Sequence, residues 1–87
     1  MRVKEDLVLN KVVDEYVVVA KNPDVFKGIL KLNETGAFIF KIMQQDIAAD
    51  KIIEKITEEY DVSKEKAEVD LNEFINHLDD VGLIIKW

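Results

Sequence analysis

Apolar positions along the chain change their spacing part-way through, and the change divides it into strands followed by helices. Leu7 to Val13 and Tyr16 to Ala20 are runs rich in β-branched residues, separated by the polar pair Asp14-Glu15. Two such runs around a short polar break predict a hairpin, although Asp-Glu lacks the glycine that two-residue hairpin turns favour. Asn22-Pro23-Asp24 marks a turn, because proline fixes φ and Asn and Asp tolerate turn geometry. Beyond it, Gly28-Ile29-Leu30-Lys31-Leu32 reads as a third strand. Short connections make the three strands a meander with the third at an edge. Along that strand Ile29 and Lys31 point to one side, and Leu30 and Leu32 to the other.

The spacing then becomes helical. Asn33 is suited to cap a helix, since its side chain can accept from an orphan amide, and Glu34 complements the helix dipole. Helix one is expected to run to about Gln45, with Phe38, Ile39, Phe40, Ile42 and Met43 pointing almost all round it, as in a buried central helix. Helix two covers Ala49 to Tyr60, with Ile52, Ile53, Ile56 and Tyr60 on one stripe. Ser63 caps helix three, which reaches about Val81 before Gly82 stops it. Ala67, Leu71, Phe74, Ile75, Leu78 and Val81 share one face of it, flanked by Asp70 and His77. The apolar tail, Leu83 to Trp87, is expected to pack back in extended form. The order predicts an α+β fold: a three-stranded antiparallel sheet followed by three helices, in one domain over residues 1–87.

Composition narrows the function. A chain of 87 residues, 48% apolar and 34% charged, has the balance of a folded domain with one core and little room for an enclosed active site. It holds no cysteine, and no stretch resembles a signal peptide or a bilayer span, so a cytoplasmic location without membrane contact is expected. Charge is uneven. Residues 1–57 hold nine acids and nine Lys or Arg, whereas residues 58–80 hold nine acids against Lys64 and Lys66. A partner of the second half is therefore expected to be basic or apolar.

Catalytic chemistry is missing from the pattern. Ser63, the sole serine, sits at a helix start, and the sole histidine, His77, lies fourteen residues further along the same helix. That is about 20 Å of helical rise, too far for a nucleophile and its base. One histidine with helix-surface acids is a poor metal set, and the three glycines form no phosphate-binding pattern. The chain reads as a binding protein without catalytic, metal or cofactor sites.

Two binding modes are open. Helices two and three could form a helix-turn-helix, but the candidate recognition helix is acidic and would repel phosphates, which argues against nucleic acid. The third strand offers another mode, because an exposed edge can accept an extended peptide as a further strand. Lys27 and Lys31 could instead be guards against such pairing. A third reading is a structural or protein-interaction subunit whose same edge pairs with itself in a homodimer.

Leu32-Asn33-Glu34-Thr35-Gly36-Ala37, followed by Ile39 and Phe40, resembles the strand-to-helix signature of the PqqD-like proteins. The later series Ile52, Ile56, Tyr60-Asp61-Val62, Asp70-Leu71, Phe74-Ile75, Leu78 and Gly82-Leu83-Ile84 is similar to theirs in order and spacing. The resemblance covers about residues 7 to 85, with one departure: members of that family often cap helix two with Thr or Ser, and Ala48 stands at that position here, leaving Asp46 or Asp50 for the role. It implies a winged helix-turn-helix-like domain, the RiPP recognition element, which binds the leader of a ribosomally made precursor peptide. Such a domain delivers the leader to a peptide-modifying enzyme, often a radical SAM protein. The resemblance places the leader along Gly28, Ile29, Leu30, Lys31 and Leu32. Asp70, Leu71, Phe74, Ile75, His77 and Leu78 of helix three form the other wall. An acidic helix three would favour Lys or Arg in the leader.

Overall fold

The computed structural model describes residues 1–85; Lys86 and Trp87, the end of the expected tail, lie outside the described residues. Chain order is β1 (Arg2–Val3), β2 (Leu7–Val12), β3 (Glu15–Ala20), β4 (Leu30–Leu32), α1 (Glu34–Ile42), α2 (Ala49–Tyr60), α3 (Lys64–Asp80) and β5 (Ile84–Ile85). The antiparallel sheet β2-β3-β4 leads into three helices, which is the α+β fold expected. A second small sheet pairs β1 with β5. No helix among the described residues is long and apolar enough to cross a membrane.

Burial sets the register. Leu7, Leu9 and Lys11 of β2 oppose Ala20, Val18 and Tyr16 of β3, and Val18 and Tyr16 oppose Leu30 and Leu32 of β4. Val18, Leu30 and Leu32 are buried, and Leu9, Tyr16 and Ala20 pack against the same core. A one-residue slip would turn this apolar set into solvent. The register moves the turn off the expected Asp14-Glu15: Val12 opposes Glu15, so Val13 and Asp14 make the loop. Val13 takes φ +57°, a conformation that strains a β-branched side chain.

The same register shows which amides face the free edge. Val12 and Glu15 close a two-residue turn and therefore form a hydrogen-bonded pair. Pair type alternates along an antiparallel ladder, so Glu15, Val17 and Val19 direct their N–H and C=O groups at β2. The Lys21 N–H donating to the Asp6 carbonyl at 2.7 Å fits this alternation at the other end. Tyr16 and Val18 then direct theirs at β4, bonding Leu32 and Leu30. Lys31, between them, turns its N–H and C=O outward.

The third strand is shorter than expected. Gly28 has φ +106° and breaks the extended run, leaving Gly28 and Ile29 outside β4. Both expected side-chain caps form: the Gly36 N–H donates to Asn33 Oδ1 at 2.7 Å, and the Lys66 N–H to Ser63 Oγ at 3.1 Å. Neither aspartate takes the capping role at α2. Ala48 is its N-cap, without a side-chain bond, while Asp46 pairs with the Met1 amine and Asp50 Oδ1 accepts from the Lys51 N–H. Helix α1 ends at Ile42 rather than near Gln45.

The core lies between the sheet and the helices. Ile39, Phe40 and Met43 of the central segment are fully buried against Val18, Ile52, Ile56 and Leu78. Val81, expected on the buried face of α3, is instead 37% exposed, because the helix ends there at its C-cap. Gly82, at φ +72°, turns the chain so that Leu83 and Ile84 return to the core. The Lys4 N–H donates to the Leu83 carbonyl and the Val3 N–H to the Met43 carbonyl, tying the N-terminal segment across the chain.

Candidate peptide-binding groove

A groove of about 610 Å³ opens between the free edge of β4 and helix α3. Lys31, Leu32 and Asn33 form one side, and Thr35 and Gly36 of the first turn of α1 continue it. Lys66, Asp70, Glu73, Phe74 and His77 of α3 form the other. Their spacing of three and four residues puts them on one face of the helix. Tyr60 and Val62, from the end of α2 and the link to α3, close one end.

Local sequence shapes these walls. A Cβ added at Gly36 would stand 3.0 Å from Asn33 Oδ1 and 3.5 Å from the Leu32 Cβ, so glycine allows α1 to start hard against β4. Tyr60 meets Phe38 edge to face at 5.4 Å, and its hydroxyl lies 3.5 Å from the Glu34 carbonyl. Burial, then the charge of Glu34, raises the Tyr60 pKa above its ordinary value. Asp61 takes φ +50° as the C-cap of α2, turning the chain toward α3.

Charge in the groove is mixed. Lys66 Nζ bonds Asp70 Oδ1 at 2.7 Å, and this bond raises the Lys66 pKa. The Asp70 side chain is 15% exposed and that of Lys66 59%, so the carboxylate sits in the wall with the ammonium across it. Lys66 offsets Asp70, and Lys31 and Glu73 complete the charged lining, with Lys31 Nζ 3.8 Å from Glu15. The acidic excess of residues 58–80 therefore lies mostly elsewhere on the helices.

The residues singled out from sequence divide into two sets. Lys31, Leu32, Asp70, Phe74 and His77 line the groove. Leu30, Leu71 and Leu78 are buried in the core, Ile75 packs against it, and Gly28 and Ile29 precede the strand. Sequence reasoning did not name Asn33, Thr35, Gly36, Tyr60, Val62, Lys66 or Glu73 as wall residues. Lys66 and Glu73 share the helical spacing of Asp70 and His77 and were within reach of a wheel argument. Tyr60 and Val62 arrive only through the packing of α2 on α3. Among the described residues, no group of three or more His, Cys, Asp or Glu is placed to hold a metal ion.

Comparison with known proteins agrees with this architecture. The profile of the family described as "Coenzyme PQQ synthesis protein D (PqqD)" matches residues 10–84. Among solved structures, TbiB1 in complex with the TbiA(beta) leader peptide superposes with a TM-score of 0.77, at 22% identity, over 100% of this chain and 98% of that one. At that identity the likeness concerns the fold. No curated protein matches the chain in sequence.

Proposed function

From the premise that the chain belongs to the PqqD family, we propose that it binds the leader segment of a ribosomally made precursor peptide and presents it to a peptide-modifying enzyme. The observation that carries this reading is the outward-turned N–H and C=O of Lys31, facing the groove between β4 and α3. An extended peptide laid along β4 becomes a fourth strand, held by main-chain bonds whose strength depends little on its sequence. TbiB1, which shares this fold, was solved with a leader peptide bound, and that supports the reading.

Selectivity then falls to side chains. In a strand paired with Lys31, the residue opposite it points to the same sheet face as Lys31, and its two neighbours point inward, as Leu30 and Leu32 do. Those inward residues meet Leu32, Val62, Tyr60 and Phe74, with His77 and Glu73 on the rim. The protein contributes position and not bond chemistry. Holding the leader raises the effective concentration of the attached core peptide at the enzyme, by an amount set by the chain between them. A radical SAM enzyme is the partner that the family favours.

Calorimetric titration of the protein with the leader of a precursor peptide encoded beside its gene tests the reading. Saturable one-to-one binding, together with slower modification of the precursor when this protein is omitted, is expected. Modification at full rate without it would overturn the proposal.

A further inference from the structure

The three-stranded sheet has two edges, and leader docking takes up only β4. Strand β2 forms the other. Val8, Asn10 and Val12 bond to β3, so Leu9 and Lys11 turn their N–H and C=O groups away from the sheet. No backbone bond from the described residues meets them. Leu7 has the same orientation but is buried. Leu9 and Lys11 thus hold four open main-chain groups, against the two of Lys31 on β4. Their side chains share the core-facing side of the sheet, where Leu9 packs against the core and Lys11 is exposed.

Charge beside this edge is unpaired. Lys11 Nζ lies 5.7 Å from the centre of the Tyr16 ring, and Lys41 Nζ, from α1, lies 6.0 Å from it. Neither ammonium has an ion-pair partner among the described residues. Two like charges gathered at one ring repel each other, and an incoming carboxylate relieves both. On a chain of net charge -6 this is a local basic spot, and it adjoins the open strand.

We propose that the β2 edge takes an extended acidic segment of the modifying enzyme as a further strand. That strand sets an Asp or Glu opposite Lys11 and an apolar residue opposite Leu9. The inference rests on the reading that this protein presents a leader to such an enzyme, and it names the surface that does so. Residues directly opposite each other across a ladder share a face, so the carboxylate arrives beside Lys11 and Lys41. A charged side chain on the inner face of an edge strand guards against indiscriminate pairing. Here the guard is a filter, since an apolar strand leaves Lys11 unneutralised and an acidic one does not. A second copy of the chain fails the same filter: antiparallel self-pairing of β2 through its outward residues sets Lys11 against Leu7, Leu9 or another Lys11. Four ladder spacings of about 4.8 Å separate a strand beside β2 from a leader beside β4, about 19 Å in all, so neither blocks the other.

Calorimetry of the full chain, saturated with leader, against the peptide-modifying enzyme encoded beside its gene tests this. Titration of each variant with leader alone reads leader docking separately. Lys11→Glu should weaken enzyme binding at least tenfold and Lys41→Glu should act in the same direction, both with wild-type leader affinity. Lys11→Pro spares the bonds to β3 and should bind the enzyme more weakly than Lys11→Ala, which keeps the amide. If Lys11→Pro disturbs the circular dichroism spectrum, the two charge variants decide. Wild-type enzyme affinity in both of them overturns the proposal, as does a wild-type chain that does not bind the enzyme. Loss of leader affinity in a folded Lys11→Glu also overturns it, because the leader itself then occupies β2.

Discussion

Replacing Lys31 with proline separates the backbone of β4 from its side chains. Lys31 directs its amide away from β3, so proline there leaves the bonds of Leu30 and Leu32 to β3 intact. The side chain lost is 74% exposed and joined only to Glu15 at 3.8 Å, an ion pair contributing at most about 1 kcal/mol. The folded protein should therefore lose little stability. Leader binding loses one main-chain hydrogen bond, about 0.5–1.5 kcal/mol net. At 1.4 kcal/mol per factor of ten, that alone weakens affinity roughly two- to twelve-fold. The ring, projecting at the incoming strand, adds to the loss. Lys31→Ala keeps the amide and serves as the control. Calorimetry with the leader should show near wild-type affinity for Lys31→Ala and clear weakening for Lys31→Pro, with urea midpoints of both close to wild type. Equal affinities for a folded Lys31→Pro and wild type would refute strand addition at this edge.

Other consequences follow from the groove and its supports. Asn33→Ala removes the acceptor of the Gly36 N–H and should cost about 1 kcal/mol in urea unfolding. Phe74→Ala empties a site that is 5% exposed and should cost about 3–5 kcal/mol, whereas His77→Ala, on the exposed rim, should leave unfolding unchanged and alter only leader affinity. The raised pKa of Tyr60 means that the fold favours its neutral phenol. That contribution is complete below pH 10, the ordinary value, and is lost as pH rises through the higher folded-state value, so alkaline melting should be less steep in Tyr60→Phe.

Much of this fold could be read from local pattern. Helix α2 was bounded by its stripe of Ile52, Ile56 and Tyr60, and the starts of α1 and α3 by Asn33 and Ser63, because periodicity and capping act within a few residues. The failures are where distant contacts decide. Strand β1 has two residues and no period of its own; it forms because Ile84 and Ile85 come back to meet it. The turn at Val13-Asp14 follows from the burial of Leu7 and Leu9 against β3 and defies the local preference for a polar turn. Gly28 looked like part of a strand because sequence does not reveal the sign of φ. At the groove, one face of α3 was legible, but Tyr60 and Val62 join it only through the packing of α2 and α3. Composition likewise does not locate charge: of the nine acids of residues 58–80, only Asp70 and Glu73 line the groove.

The most direct test of leader docking is an isotope-edited NMR titration of the labelled protein with unlabelled leader peptide. Strand addition predicts the largest amide shifts at Lys31 to Gly36 and along α3 from Lys66 to His77, with intermolecular contacts between the Lys31 amide region and the peptide backbone. Saturable binding whose shifts fall on the β2 edge, at Leu7 to Lys11, while Lys31 and the α3 wall remain unmoved, would contradict it.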